Sequence, residues 1–319
     1  MRIGLMIEGQ NDLTWERWLH IANLTERLGF ASLFRSDHYF TGNRQLQSLE
    51  TWLSFAAIAR EPHSYRFGAL VTPITFRRPV NDARMAAQVD LLSGGRFVMG
   101  LGAGWNEAEH RAYGIPFPPT KERFDRLDEA VRLMRALWTE QPASFEGRFY
   151  RLEEAGYKSQ PAPGRPPLLI GGAGERRTLR IAAEHADEWN CVTVTEPEGY
   201  AHKVQVLERH CEDVGRDPST IARSMMVFPI AGPNERTVSA IASKTMAHFS
   251  LDPEASPRVM VERMEGKGIL SGTTGEVVEK LGKLAELGLD EMVLQHIDFD
   301  SDEGPEYFAS EIAPQVADL

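Results

Sequence analysis

The sequence predicts an α/β fold, a (β/α)8 TIM barrel with insertions that forms one domain over residues 1–319. Short apolar runs of strand length alternate with amphipathic helical segments, and one strand with its helix takes about 30 residues. The alternation yields eight strands, and no shift in composition suits a domain linker. The core of such a barrel usually takes about 250 residues, which leaves room for insertions. A doubly wound open sheet is the alternative, but it rarely needs eight matched units.

The first half of the chain supplies four predicted strands and three predicted helices. Residues 2–8 form an apolar run of strand length, and apolar side chains at helical spacing follow over 13–28, where Gly29 ends the helix. The helix predicted over 80–92 ends in the same way, at Ser93-Gly94-Gly95. The remaining predicted elements of this half are strands 31–35, 66–72 and 96–101 and a helix over 49–60.

The second half continues the alternation after a long amphipathic helix predicted over 122–139. Three stretches interrupt the alternation, and we predict insertions at about 103–119, 140–166 and 250–272. The second insertion alternates around Glu146-Gly147, which predicts a hairpin. The remaining predicted elements are strands 168–170, 188–194, 224–230 and 291–296 and helices 175–186, 197–214, 238–249, 275–287 and 307–316.

Composition and charge argue against several classes of partner. The chain is 42% hydrophobic and 25% charged, as soluble globular proteins are, and its net charge of −11 accompanies a pI near 5.4. An acidic balance argues against a nucleic-acid or anionic-membrane surface, and no apolar stretch reaches the ~18 residues of a membrane span. Glu8 comes too early for the apolar region of a signal peptide. Cys191 and Cys211 cannot build a disulfide scaffold or a cysteine-based metal site, so we predict a cytoplasmic protein.

Barrel enzymes bind ligands where the strands end, so the residues that follow each strand are the candidates. Asp37 and His38 follow the second predicted strand, and a histidine beside a carboxylate can take or give a proton near neutral pH. We predict His38 as the acid or base, Asp37 as the group that orients it, and Glu8 as a second proton carrier. The alternative is a helix-capping aspartate beside a surface histidine. No nucleophile triad or clustered metal-ligand spacing is present in the sequence, so no metal site is predicted.

Two glycine-rich turns are candidates for binding a cofactor. The turn Gly171-Gly172-Ala173-Gly174 precedes a predicted helix start, where backbone N–H groups can approach a phosphate and Arg176 can add charge. The alternative is a tight turn with glycines at its strained positions. After the fourth strand, the segment Gly102-Ala103-Gly104-Trp105 leads into an aromatic loop rather than a dinucleotide-binding helix. This segment could lie flat beneath a planar ring system.

Eight motifs follow one another in an order that is more specific than any of them alone. They are Ile3-Gly4-Leu5, Leu28 to Phe34, Ser36-Asp37-His38-Tyr39, Leu70-Val71-Thr72-Pro73, Leu91 to Phe97, Gly100 to Glu109, Arg123-Phe124 with Leu127 and Glu129, and Leu169 to Gly172. Together they span nearly the whole chain, and they resemble the luciferase-like monooxygenase superfamily in its coenzyme F420-dependent branch. The FMN-dependent branch is the alternative.

The resemblance implies a luciferase-like barrel, usually a homodimer, that binds a flavin or deazaflavin at the C-terminal mouth. It implies that His38 lies near the reactive edge of the ring, that Gly172 to Gly174 hold the phosphate, and that Gly102 to Trp105 line the ring. It also implies a non-proline cis peptide bond behind the ring, and the matching bond here is Ala69–Leu70.

The function that the resemblance implies is hydride transfer between coenzyme F420 and a small organic substrate. The alternative is an FMN-dependent monooxygenase that uses O2 and reduced flavin from a partner reductase; a non-catalytic flavin-binding barrel is an alternative of another class. Arg176, Arg177, Arg44 and Lys203 are candidates for binding the polyanionic tail of the deazaflavin. Trp105 stands where sugar-phosphate dehydrogenases of this family carry an acid, so a sugar phosphate is not expected as the substrate.

Overall fold

Parallel strands close into a barrel, which confirms the predicted fold class and excludes the open sheet. The computed structural model describes residues 1–42, 44–156, 164–192, 194–248 and 268–319. The strands in these ranges are β1 (Arg2–Ile7), β2 (Ser32–Arg35), β3 (Arg66–Ala69), β4 (Thr72–Pro73), β5 (Phe97–Gly102), β6 (Ala143–Glu146), β7 (Arg151–Ala155), β8 (Leu168–Gly171), β9 (Glu188–Val192), β10 (Ala222–Gly232), β11 (Ile269–Thr273) and β12 (Glu291–His296). Around the barrel the order is β1, β2, β3, β5, β8, β9, β10 and β12, and β12 pairs with β1.

Helices surround the barrel and connect its strands. They are α1 (Trp15–Arg27), α2 (Thr51–Ala59), α3 (Pro79–Ser93), α4 (Glu107–Ala112), α5 (Thr120–Thr139), α6 (Thr178–His185), α7 (Pro197–Asp213), α8 (Glu235–His248), α9 (Thr274–Glu286), α10 (Glu303–Tyr307) and α11 (Ala313–Val316), with a 3₁₀ turn at Pro218–Thr220 and a π turn at Phe308–Ile312. None of the helices within the described ranges is long and apolar enough to cross a membrane.

Local capping explains where the helices begin and end. The Thr14 hydroxyl accepts the N–H of Arg17 at the start of α1, and Gly29 follows its end with a φ of 71°. Thr273 and Glu276 form a reciprocal capping box at the start of α9. Because these signals are local, the predicted bounds of α1 and α7 lie within two residues of the observed ones.

The barrel interior is a small apolar cluster of its own. It contains Met6, Phe34, Leu70, Val98, Leu169 and Val293, one from each of several neighbouring strands or strand ends. Side chains alternate along a strand, so the intervening residues point outward to the helices and join the larger core. The interior is therefore filled by side chains, and a ligand can enter only at the ends of the strands.

The third strand differs from its prediction in one respect. The predicted strand 66–72 divides into β3 and β4, and a non-proline cis peptide bond lies between them at Leu70–Val71. We predicted this bond at Ala69–Leu70, one residue too early. The N–H of Leu70 still donates to the carbonyl of Arg35 at 2.9 Å, so regular pairing extends through residue 70 and ends only afterwards.

The insertions are partly more regular than we predicted. β6 and β7 form the predicted antiparallel hairpin. The loop 103–119 contains the short helix α4, which Asn106 caps by accepting the N–H of Ala108 at 3.2 Å. Residues 269–272, which we assigned to the third insertion, belong to β11, because this buried run pairs in parallel with the end of β10. Residues 250–267 of that insertion lie outside the described residues.

A buried ionic network fills the N-terminal end of the barrel, opposite the candidate site. The guanidinium of Arg66 contacts the carboxylates of both Glu188 and Glu291, the second at 2.7 Å. Ser32 also donates to Glu291, whose side chain is only 1% exposed. A Cβ at Gly4 would lie 2.9 Å from a Glu291 oxygen and would overlap the Ser32 hydroxyl, so only glycine leaves room for this network.

Candidate active site

His38 is held by Glu109, a residue that the sequence did not single out. The distance from His38 Nδ1 to Glu109 Oε1 is 2.8 Å, and the second Glu109 oxygen accepts the N–H of Tyr39 at 3.0 Å. Glu109 is fully buried on α4, and the His38 side chain is 15% exposed. Because a carboxylate can only accept, Nδ1 carries the hydrogen, and Nε2 is the nitrogen left to act on a ligand.

The environment of His38 makes its ring a stronger base. Burial lowers the pKa of His38, but the hydrogen bond and the charge of Glu109 outweigh burial, and Glu8 and Asp37 contribute smaller effects in the same direction. The net pKa of His38 is therefore raised above its ordinary value. Within the part of the chain that the structure describes, Nε2 of His38 has no hydrogen-bond partner.

Asp37 does not orient the His38 ring, contrary to our prediction. Its two carboxylate oxygens accept hydrogen bonds from Arg77 at 2.6 and 3.2 Å, and Arg77 also binds Glu50 at 2.8 Å. A bidentate arginine occupies the carboxylate more fully than a neighbouring histidine could, which is the physical reason for the difference. Asp37 thus anchors the loop after β2, and Glu109 orients the ring.

Glu8 lies at the end of β1 between two amide side chains. One of its oxygens accepts from Gln10 Nε2 at 2.6 Å, and the other accepts from Gln295 at the end of β12. The carbonyl of the Gln10 side chain in turn accepts the hydroxyl of Ser36 at 2.6 Å. These hydrogen bonds fix Glu8 close enough to His38 that its charge helps to raise the pKa of His38. Its role as a second proton carrier stays a prediction.

A floor of small residues packs around Val71 at the ends of the strands. A Cβ at Gly102 would come within 2.6 Å of Val71, and a Cβ at Gly171 within 2.7 Å of the same side chain. Ala69 and Leu70, which we predicted to bind the cofactor, are 2% and 7% exposed. Val71 follows the cis bond and is less buried than Ala69 and Leu70. Of these three side chains, it is therefore the one that reaches the mouth.

Trp105 forms one wall of the mouth and contacts the predicted acid or base. Its ring lies edge-on to the His38 ring with centroids 5.4 Å apart, and it is 68% exposed. The preceding residues, Ala103 and Gly104, are half-buried, and Gly104 has a φ of 78°. The segment 102–105 thus combines small residues with one large exposed aromatic ring, an arrangement that suits a planar ligand.

The turn 171–174 presents donors at the start of α6. The N–H of Gly172 is already bonded to the Asn190 carbonyl at 3.0 Å, so this group does not serve a phosphate. The backbone N–H groups of residues 173–177 donate to no acceptor within the described ranges. Gly172 has a φ of 128°, and a Cβ at Gly174 would lie 2.9 Å from the Thr178 hydroxyl, so both positions favour glycine.

These residues fit the cofactor that the sequence implies. Unbonded N–H groups at a helix start suit a phosphate, and Arg176 is exposed beside them. The glycine floor and Trp105 suit a planar ring, and His38 Nε2 lies at the same mouth. Sequence reasoning missed Glu109 and Val71 as members of this site. Glu109 is part of the motif Gly100 to Glu109, so an acid four residues after Trp105 was the available signal.

Comparisons with known proteins identify the relatives of this chain. Residues 1–291 match the family described as luciferase-like monooxygenase. The chain is 30% identical over 313 residues to an F420-dependent glucose-6-phosphate dehydrogenase of Segniliparus rotundus, covering 92% of each chain. It is 25% identical over 329 residues to an FMNH2-dependent dimethylsulfone monooxygenase of Pseudomonas putida, covering 97% of this chain and 89% of the relative.

A solved structure confirms the fold over the full length. An F420-dependent secondary alcohol dehydrogenase, in complex with an F420-acetone adduct, superposes with a TM-score of 0.82 at 21% identity. The superposition covers 99% of this chain and 98% of that chain. The predicted membership is confirmed: the chain belongs to the luciferase-like monooxygenase family.

Proposed function

We propose that this protein is an oxidoreductase that uses coenzyme F420 to transfer a hydride to or from a small organic substrate, an alcohol or the matching carbonyl compound. The observation that carries the proposal is the Glu109–His38 pair, which leaves Nε2 as a base at the mouth of the barrel. Relatives named as F420-dependent dehydrogenases support the choice of cofactor. When bound, the deazaflavin supplies the ring carbon that gives or receives the hydride.

The residues of the chain then handle the proton. Oxidation of an alcohol requires that its hydroxyl proton leave, and His38 Nε2 is the acceptor because Nδ1 is bonded to Glu109. Glu109 stabilises the imidazolium that forms, since its buried carboxylate faces the protonated ring. In the reverse direction, the same nitrogen returns the proton to the carbonyl oxygen.

Other groups bind and orient the cofactor. The N–H groups of residues 173–177 and the side chain of Arg176 hold the phosphate at the start of α6. Gly102 to Trp105, with Val71 beneath them, line the ring. Glucose 6-phosphate is consistent with the names of several relatives, whereas Trp105 argues against it, so this sugar phosphate is one of the alcohols to be tested.

Separate titrations with the two candidate cofactors test this proposal. The apoprotein is mixed with F420 or with FMN, and binding is followed by fluorescence. We expect F420 to bind far more tightly than FMN. FMN affinity equal to or above that of F420 would favour the monooxygenase alternative, which a relative named as FMNH2-dependent represents, and a partner reductase would then be required.

A homodimer is part of the proposal, and one surface supports it. α2 contains no charged side chain, and its Leu53 is 61% exposed. The adjoining α3 carries Leu91 and Leu92 at 51% and 49% exposure. A helix that faces water normally carries polar groups on that face, so the apolar exposed face of α2, together with Leu91 and Leu92 near the end of α3, suits the interface with a second copy.

We also propose that the protein acts in the cytoplasm. Cys191 and Cys211 are both unpaired and buried. Unpaired cysteines are typical of a reducing compartment, which supports this location.

A further inference from the structure

A cavity of about 640 Å³ lies behind β12, between the barrel wall and the helices α8 and α10. We call it the outer cavity. Leu5 of β1 and Leu294 of β12 form part of its inner wall; these two residues are register partners and belong to the core between the strands and the helices. Among the described residues, none that we assign to the active site, such as Glu8, His38 or Trp105, lines this cavity. The outer cavity is therefore a separate pocket beside the mouth.

Side chains alternate along β12, and this alternation turns His296 toward the outer cavity. Val293 belongs to the apolar cluster inside the barrel, and Leu294 belongs to the outer core. Gln295 binds Glu8 at the mouth, whereas His296 lines the cavity on the same face of the strand as Leu294. Gln295 also borders the cavity, so the cavity and the mouth adjoin at this residue.

The ring of His296 is a polar group in an apolar setting. It is 9% exposed, and the Phe299 ring lies edge-on to it with centroids 6.0 Å apart. Within the described ranges, neither ring nitrogen has a hydrogen-bond partner. Burial lowers the pKa of His296 to about 4, and the charges of Asp298 and Asp302 only partly oppose this effect. The ring is therefore neutral at pH 7, with one nitrogen that donates a hydrogen bond and one that accepts.

The cations that line the outer cavity are already paired with acids. Arg17 binds Asp12 at 2.9 Å and Asp300 at 2.5 Å, and Lys244 binds Asp298 at 2.5 Å. These are the two cations of the lining in the part of the chain that the structure describes, so neither is left to bind an anion. Because an unpaired charge is costly to bury, this arrangement disfavours a phosphorylated or carboxylate ligand.

Most of the remaining lining is apolar. It includes Phe228, Pro229, Ile241, Ile297, Phe299 and Phe308. A volume of about 640 Å³ lies within the range of about 300 to 1,000 Å³ that is typical of small-molecule sites. A π turn begins at Phe308, and such turns are frequent at functional sites. The size and the lining of the cavity thus suit a small apolar molecule.

We infer that the outer cavity is a second binding site, for a neutral and largely apolar molecule whose hydroxyl or carbonyl group is hydrogen-bonded to His296. The ring accepts a hydrogen bond from a hydroxyl group or donates one to a carbonyl oxygen. Either bond supplies the partner that the buried imidazole lacks, and burial of the apolar part supplies the rest of the affinity. This site is additional to the site of hydride transfer and does not depend on the choice of cofactor.

Three probes with the same ring system test the inference. They are naphthalene, 2-naphthol and 2-naphthoate, which carry no polar group, a neutral hydroxyl group and a negative charge. Their binding to the apoprotein at pH 7 is measured by calorimetric titration. His296→Leu removes the hydrogen bond, and Ile241→Trp places a larger ring at the cavity wall. His202→Leu is the matched control, because His202 is exposed on α7 and does not line the cavity, and Trp105→Ala tests binding at the mouth.

We expect the unaltered protein to bind 2-naphthol about three- to tenfold more tightly than naphthalene, since one hydrogen bond distinguishes the two probes. The anionic 2-naphthoate should bind more weakly than either. His296→Leu should reduce the affinity for 2-naphthol to that for naphthalene, and Ile241→Trp should weaken the binding of both. His202→Leu and Trp105→Ala should leave both affinities unchanged.

Several outcomes would overturn the inference. They are no binding of 2-naphthol, equal affinity for 2-naphthol and naphthalene, or 2-naphthoate binding as tightly as 2-naphthol. A loss of binding in Trp105→Ala would assign the probes to the mouth and would also overturn it. Thermal unfolding reports whether each variant folds; if His296→Leu does not, Ile241→Trp and the affinity ratio of the unaltered protein decide. Titration with F420 is a separate measurement, so the proposed function is tested independently.

Discussion

Glu109 Oε1 lies 2.8 Å from His38 Nδ1, although the two residues are separated by 71 positions and follow different strands, His38 in the loop after β2 and Glu109 on α4. The loop after β2 supplies the base, and the insertion after β5 supplies the charge that tunes it. The site therefore depends on the folding of α4, because this short helix supplies the carboxylate that is hydrogen-bonded to the ring among the described residues.

Replacement of His38 by alanine tests its role directly. Proton transfer by a positioned histidine contributes about 10²- to 10⁴-fold to a rate, so His38→Ala should reduce turnover by about that range. Affinity for the cofactor should stay within a few-fold. Turnover and thermal unfolding are measured on the same variant, and near-normal turnover in a stably folded protein would leave Glu8 as the next candidate.

Replacement of Glu109 by glutamine removes the charge and keeps the size of the side chain. Turnover should fall by about 10- to 100-fold, less than the about 10⁴-fold loss known for a triad aspartate, because Nε2 stays in place. Since Glu109 raises the pKa of His38, the acidic limb of the profile of kcat/KM against pH should move to lower pH. If the acidic limb stays at the same pH, a group other than His38 produces it.

The same pair has a consequence for stability. The pKa of His38 is raised in the folded state. The Glu109–His38 pair therefore stabilises the fold fully below about pH 6.5, the ordinary histidine pKa. This stabilisation is lost as the pH rises through the raised pKa of the folded state. Glu109→Gln should therefore lose more stability at acidic pH than at alkaline pH. Denaturant unfolding at both pH values measures the difference, and an equal loss at both would contradict this assignment.

A methyl group at Gly174 should weaken cofactor binding without unfolding the barrel. In Gly174→Ala, the new Cβ would lie 2.9 Å from the Thr178 hydroxyl and would disturb the turn that presents the N–H groups. Gly156→Ala is the matched control, since a Cβ there would meet no atom within 4 Å. If Gly174→Ala binds the cofactor normally, the turn is structural and the phosphate lies elsewhere.

Removal of Arg66 should affect stability and spare the site. Arg66→Met leaves Glu188 and Glu291 without their shared cation at the far end of the barrel, which should cost about 3 kcal/mol of unfolding free energy. Arg2→Met is the control, because Arg2 is 47% exposed and lies 3.5 Å from Glu291. Chemical denaturation measures both variants; a cost as small as that of the control would show that the network is solvated.

A charge on the apolar face of α2 tests the dimer. Leu53→Glu should convert the protein to a monomer, because a carboxylate would be buried without a partner at the proposed interface. Val214→Glu, at another exposed apolar position, serves as the control. Light scattering gives the mass of each variant. An unaltered protein that is already monomeric, or a dimeric Leu53→Glu, would exclude this interface.

The barrel and the position of His38 could be predicted because they depend on local patterns. Alternating apolar runs define the strands, and the residue after a strand lies at the mouth in any parallel barrel. The partner of His38 could not be predicted in this way. Asp37 is adjacent in sequence, but Arg77 occupies it, and Glu109 reaches the ring only through the packing of a helix that we did not predict. We predicted the cis bond one residue too early, because nothing in the sequence of residues 69–71 distinguishes the two peptide bonds of this run.

The seam between β1 and β12 determines when the site can exist during synthesis. β1 pairs with β2 and also with β12, which joins the first strand to residues 291–296. A nascent chain therefore keeps two open strand edges, on β1 and on β10, until residues 291–296 have left the ribosome. Glu8 acquires its bond to Gln295 only at that moment. Closure of the ring and completion of this part of the pocket are thus one late, long-range event, which a chain cut short before β12 never reaches.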